Sequence, residues 1–213
     1  MTNVIVARIM DSVRLQAPGA LEGTLRLEFF NTLKEFLQRS DIWREDITVP
    51  TVANWEYYEL PALSQGLVNR LIWLEGPRPT VSSGAPQYGS PRNGHLERTG
   101  RAALLKIYPP STTETWIAHV ALTIIDPTDS EGLPSMPDWA VEKYQDYITS
   151  GLLSRLAMQP GKPYSNEKLV MYHGRRFLQG IALAKKEAQQ GHTFGGQRWA
   201  YPQSFASYSQ KFR

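Results

Sequence analysis

Apolar positions recur at helical spacing in "GALEGTLRLEFFNTLKEFLQRS", residues 19–40, where Leu21, Leu25, Phe29, Leu33 and Phe36 fall three or four residues apart. A helix turns once in about 3.6 residues, so this spacing gathers them on one face, with Arg26, Glu28, Lys34 and Glu35 around the rest. The pattern predicts an amphipathic helix opened by Pro18 and Gly19. Ahead of it, "NVIVARIM" is a short apolar start interrupted by Arg8 and followed by Asp11. It has neither the length of a membrane span nor the small-residue cleavage site of a secretory signal, and neither is expected.

After "DIWRED" the texture changes. "ITVPTV", "WEYYELP", "GLVNRLIWLEG", "AALLKIYPP" and "TWIAHVALTII" are short β-branched or aromatic runs punctuated by Pro, Gly and Asn. In the last of them Trp116, Ala118, Val120, Leu122 and Ile124 alternate onto one face. About five antiparallel strands are expected over residues 45–126, as a small sandwich or barrel. Residues 76–100 separate the third run from the fourth and hold four prolines, five glycines and three serines. A loop this long is expected to be functional or disordered, with disorder favoured.

Helical spacing returns in "PSMPDWAVEKYQDYITSGLLSRLAMQ". Ser135 and Pro137 mark its start, and Ala140, Tyr144, Tyr147, Gly151 and Leu152 its buried face. Pro160 and Pro163 end that helix. A second one starts from a Ser165 cap and runs to Gly191, with Leu169, Tyr172, Phe177, Ile181 and Ala184 on its inner side. The short turn between them predicts an antiparallel hairpin. The expected fold is therefore α+β: a helical bundle of the N-terminal helix and the C-terminal hairpin, residues 1–44 and 127–191. A β domain is inserted at 45–126, and an extended C-terminal arm follows at 192–213.

Charge and composition sharpen the reading of that arm. The chain of 213 residues carries 23 basic and 20 acidic side chains and no cysteine. Disulfides, thiolate metal sites and cysteine nucleophiles are thereby excluded. Residues 191–213 hold Arg198, Lys211 and Arg213 with no acid, so the remaining chain is formally neutral. The same stretch has Phe194, Trp199, Tyr201, Phe205, Tyr208 and Phe212 without a helical or strand period. Aromatics are costly to leave in water, so the arm implies a partner surface.

Candidate chemistry is sparse. His95, His119, His173 and His192 lack i, i+4 partners or carboxylates at metal-ligand spacing, and each is expected to be a surface or satisfied structural histidine. His95 is placed in the flexible loop and His119 on the strand face opposite Val120. The carboxylate groups Glu45–Asp46 and Asp126–Asp129–Glu131 fall at element boundaries, where turns favour them. "GAPQYGSPRNG" and "PGKP" lack the framing of phosphate loops, and no Gly-x-Ser-x-Gly is present. No cofactor, no metal and no enzymatic activity are expected. Arg175, Arg176, Lys185 and Lys186 on the last helix are candidate contacts to an acidic partner, to nucleic acid or to another subunit, against the alternative of a solvated helix face. Gly174, Gly180, Ala182 and Ala184 on that helix permit close approach by a neighbour.

The stretch "LPSMPDWAVEKYQDYITSGLLSRLAMQPGKPYSNEKLVMYHGRRFLQGIALAKKEA" resembles the C-terminal helical hairpin of bacteriophage head-to-tail adaptor (connector) proteins, with a Pro-Asp-Trp helix start, a small-residue middle and a "QPGKPYSN" turn. "APGALEGTLRLEFFNTLKEFLQRSDIWRED" is similar to the first helix of that family and its Trp-Arg exit into strands. The two stretches cover about 85 residues, and the β region matches in type only. The resemblance implies a structural virion protein at the head-tail junction, assembled in the host cytoplasm as a ring, a dodecamer in that family, beneath the portal protein. It implies a downstream tail partner (hub, nozzle or tail-tube protein), DNA passing through the lumen without sequence recognition, and no membrane. It also implies that the arm docks on the portal through Phe194, Arg198, Trp199, Tyr201, Phe205, Tyr208 and Phe212. The alternative is a nucleic-acid-binding module whose basic aromatic arm stacks on bases.

Overall fold

The computed structural model describes residues 2–60, 66–76, 91–92, 94–99, 102–108, 110, 113–125 and 136–190. Its elements run α1 (Thr2–Gln16), α2 (Glu22–Ser40), β1 (Arg44–Pro50), β2 (Tyr57–Leu60), β3 (Leu67–Glu75), β4 (Pro91–Arg92), β5 (Gly94–Thr99), β6 (Ala102–Ile107), β7 (Thr115–Thr123), α3 (Asp138–Lys143), α4 (Gln145–Ala157) and α5 (Glu167–Gln189). The chain is mixed helix and antiparallel sheet, an α+β protein.

The first departure from the pattern reading is α1. "NVIVARIM" is the core of a helix whose Val6, Ile9, Met10 and Val13 are buried, with Ala17 buried just beyond its end. Those positions step by three or four, and the interrupting Arg8 and Asp11 fall on the solvent side of the same turn geometry. Helix α2 ends where expected but starts at Glu22, after the expected Pro18–Gly19 opening; it buries Leu25, Phe29, Leu33, Phe36 and Leu37, whereas Leu21 precedes it and is exposed.

Asp41 ends α2 in the left-handed region (φ 51°), its N–H bonding to the Leu37 carbonyl. Its buried carboxylate pairs with the Arg70 guanidinium of β3, and Arg44 Nε donates to its carbonyl oxygen at 3.1 Å. The turn from helix to sheet is thus pinned from both sides. Ile42 and Trp43 continue the core across it. Gly66 lets Trp43 approach closely, since a Cβ there would lie 2.8 Å from the indole.

Among the described residues seven strands stand where about five were expected. The five expected runs became β1, β2, β3, β6 and β7. The additional β4 and β5 lie in the second half of the 76–100 stretch, for which disorder had been the expectation. "HLERT" has no strong β pattern of its own. Antiparallel pairing with β6, from Gly94 opposite Ile107 to Thr99 opposite Ala102, makes it a strand. Residues 77–90 lie outside the described residues. One sheet has the order β1-β7-β3-β4 and the other β2-β6-β5. Leu74 of the first and Leu105 of the second are fully buried, and a Cβ added at Gly94 would touch both. On β7 the alternating set Trp116, Ala118, Val120 and Leu122 is buried, with Ile124 just beyond it, as its period requires.

Tyr144 divides the next expected helix into α3 and α4, and Ser135 lies outside the described residues. The connection to α5 holds Gly161 at φ 73°. The cap of α5 is Asn166, one residue after the expected Ser165: its side-chain oxygen accepts from the N–H groups of Lys168 (3.0 Å) and Leu169 (3.3 Å). Helices α4 and α5 pack against each other and both against α2, while α1 lies on α4 and α3. Close approach depends on two glycines. A Cβ at Gly151 would stand 2.5 Å from Phe177 Cδ2 and 2.7 Å from Thr32 Cγ2, and one at Gly180 would collide with Tyr147. Arg155 of α4 ties α2 in place, donating to Glu35 Oε2 at 2.7 Å. Burial pushes the Glu35 carboxyl up, but hydrogen bonds from Arg39 and Arg155 outweigh it and hold the group below its usual range.

Candidate interaction surface

Helix α5 has two faces of different character. Phe177, Gly180, Ile181, Ala184 and Ala188 are buried, and at 100° per residue they share one side. The inner face expected from sequence is corrected at its start: Leu169 and Tyr172 are exposed. On the outward side lie Lys168, Met171, Tyr172, Arg175, Gln179, Leu183 and Lys186, with Leu178 at its margin. Met171 and Tyr172 are each 60% exposed, and Leu178 and Leu183 nearly half.

With Tyr147 of α4, the first half of this face forms an open groove of about 680 Å³ lined by Lys168, Met171, Tyr172, Arg175, Arg176 and Gln179. Tyr147 reaches it because Gly180 leaves room for its ring. Arg176 lies 3.6 Å from Asp146. The two α5 carboxylates are elsewhere: Glu167 is in the first turn, and Glu187 turns inward. Its oxygens take the Lys143 ammonium at 2.5 Å and the Tyr144 hydroxyl at 2.6 Å. Burial, then the hydrogen bond to Glu187, pushes the Tyr144 phenol well above its usual range.

Of the residues singled out in sequence, Arg175 and Arg176 meet in this groove. Lys185 and Lys186 are exposed two to three turns further along α5, Lys186 on the same side as Arg175 and Lys185 on a flank. Tyr147, Met171 and Tyr172 as groove-lining residues were missed. An α5 period continued outward from the buried stripe would have shown Met171 and Tyr172 opposite the core. The arm residues Phe194, Arg198, Trp199, Tyr201, Phe205, Tyr208 and Phe212 lie outside the described residues, as does His192.

The remaining histidines are now located. His95 stands exposed on β5, since pairing with β6 turns that part of the expected flexible loop into a strand. His173 is half-buried on α5, and burial, with Arg176 adding, lowers its pKa. His119 is central in the outer face of the larger sheet, opposite Asp46 of β1 and Trp73 of β3. Its Nδ1 is 2.5 Å from Asp46 Oδ1, its ring stacks on Trp73 with centroids 4.2 Å apart, and Nε2 lies 3.5 Å from Glu75. Cross-strand register assembles this cluster from three strands, Asp46 on β1, Trp73 and Glu75 on β3 and His119 on β7, which is why no local spacing advertised it. Among the described residues no His, Cys, Asp and Glu group of three or more is arranged to hold a metal ion. No described helix is long and apolar enough to cross a membrane.

No protein-family model matches the chain, and no curated protein matches it.

Proposed function

We propose that the chain is a structural virion component, a head-to-tail adaptor that forms a ring beneath the portal and joins the DNA-filled capsid to the tail. The reading starts from the resemblance of residues 17–46 and 133–188 to that family. The observation that carries it is the outward face of α5. On the very helix that bears the resemblance, Met171, Tyr172, Leu178 and Leu183 stand in solvent beside Lys168, Arg175 and Lys186. An amphipathic helix with apolar residues on both sides has one face for its own core and one for a partner. In this reading the helices form a bundle that makes most ring contacts, the inserted β domain or its long loop faces the tail, and DNA passes through the lumen. The C-terminal arm reaches the portal: 22 extended residues span roughly 70 Å, and aromatics with few rotatable bonds suit an anchor that orders on binding.

Mixing the purified chain with portal particles, followed by pull-down and negative-stain imaging, tests the reading. The full chain is expected to co-purify and add ring density, and a chain lacking residues 192–213 is expected to be lost. A monomer that never associates with portal overturns the adaptor reading. A truncated chain that still binds overturns only the role of the arm. The groove supports a second reading, since two tyrosines and three cations suit stacking on bases and pairing with phosphates. Duplex or single-strand binding with a steep salt slope, without portal association, would select it.

A further inference from the structure

A second surface is left unpartnered, and it carries the opposite charge. Strands β2 and β6 set Tyr57 opposite Lys106 and Glu59 opposite Leu104, and β5 sets Glu97 opposite the same Leu104. Tyr57 and Glu59 alternate with buried Tyr58 and Leu60, so they project away from the core. At the end of this ladder Trp55 is 59% and Tyr108 85% exposed. The backbone under these rings is held firmly. Val52 N–H donates to the Tyr58 hydroxyl oxygen at 3.1 Å, and that hydroxyl sits 2.9 Å from the Trp55 carbonyl. Asn54 N–H reaches the Pro110 carbonyl at 2.9 Å. Exposed aromatics on a fixed frame suit an interface, because little freedom is lost when they are covered. Glu56 and Glu97 act on Lys106, whose ammonium lies 4.9 Å from the Tyr57 ring centroid, and Glu59 adds a carboxylate on the outward side of β2.

We infer that the outward face of α5 in one copy of the chain docks on the β2-β6-β5 face of a second copy, head to tail. Met171, Leu178 and Leu183 then meet Trp55, Tyr57 and Leu104, and Arg175 and Lys186 meet Glu59 and Glu97. Opposite signs on the two faces steer this encounter and oppose α5 against α5, which would set cation on cation. The surface of α1 and α2 is a poorer acceptor. It also exposes Leu15, Leu21 and Leu27, but its Asp11 and Glu22 are engaged by Arg14, and Glu22 by Arg26 as well. Because the two docking faces differ, the contact is heterologous, and repetition gives a ring or an open filament according to the rotation between copies. The inference rests on the adaptor reading for repetition into a closed ring, and not for the pairing of the two faces.

The absence of cysteine makes a clean test. Gln179→Cys and His95→Cys are introduced into separate full-length chains, both at exposed positions. The two are mixed at high concentration and oxidised, and the disulfide-linked dimer is resolved by mass. A mixed dimer well above either homodimer is expected. Adding Arg175→Glu and Lys186→Glu to the first chain should cut its yield at least about tenfold, and adding Glu59→Lys and Glu97→Lys to the second should restore part of it. No dimer, or Gln179→Cys linking chiefly to itself, overturns the inference. Circular dichroism of each variant establishes that it is folded before mixing. Portal pull-down with the same proteins separates the two ideas: mixed dimers without portal association leave the pairing intact and sink the adaptor reading, and the converse sinks the pairing alone.

Discussion

Helices α4 and α5 form one hairpin yet meet solvent in opposite ways. Seven of the 13 residues of α4 are buried, small Ser150 and Gly151 among them, against five of 23 in α5. Composition does not explain this, since Leu178 and Leu183 are as apolar as Leu152 and Leu153. Neighbours do: α4 has α1, α2, α3 and α5 around it, and α5 is packed by α2 and α4. Burial is therefore a property of what surrounds a helix, and the apolar residues α5 leaves in water mark where a further surface belongs.

Substitutions on the two sides of α5 should break this contrast in unequal steps. Phe177→Ala removes a buried ring that packs beside Phe36, with centroids 6.2 Å apart, and over Gly151. A loss of about 3–5 kcal/mol in stability is expected, read from urea unfolding. Asn166→Ala strips the α5 cap and should cost about 1 kcal/mol by the same measurement. Tyr144→Phe tests the inner polar contact through pH. The phenol is raised in the folded state, so its contribution is complete below about pH 10 and declines above it, as the unfolded chain ionises first. The wild-type thermal midpoint should fall in that alkaline range, and the variant's should fall less steeply. Leu178→Ser with Leu183→Ser, on the outer side, should move stability by less than about 0.5 kcal/mol each. The same pair should weaken association with a second copy or with portal, seen by light scattering. If this outer pair proved as destabilising as Phe177→Ala, the two-faced account of α5 would fail.

The helices α2, α4 and α5 were legible because their buried positions lie within one or two turns of each other, so a period of 3.6 shows in the string itself. The β7 alternation was legible for the same reason. Helix α1 carries an equally good period, but its charged interruptions drew the reading toward a failed membrane segment. Strands β4 and β5 were hidden for another reason: Gly, Pro and Asn dominate their surroundings, and their ladders come from distant partners, β3 for β4 and β6 for β5. Of the interaction surface, Arg175 and Arg176 stood out by charge. Tyr147 did not, because it comes from α4 and reaches the groove only where Gly180 makes room.

What the amino-acid sequence determined alone is therefore the local order: helix, strands, helical hairpin, a cysteine-free neutral body and an aromatic, acid-free C-terminal stretch. Tertiary structure decided which apolar faces found a neighbour, which run of the 76–100 stretch became strand, and how Asp46, Trp73 and His119 came to lie side by side. The division has a physical cause. Periodicity is set by backbone geometry over a few residues, whereas burial and cross-strand register depend on segments brought together from far along the chain.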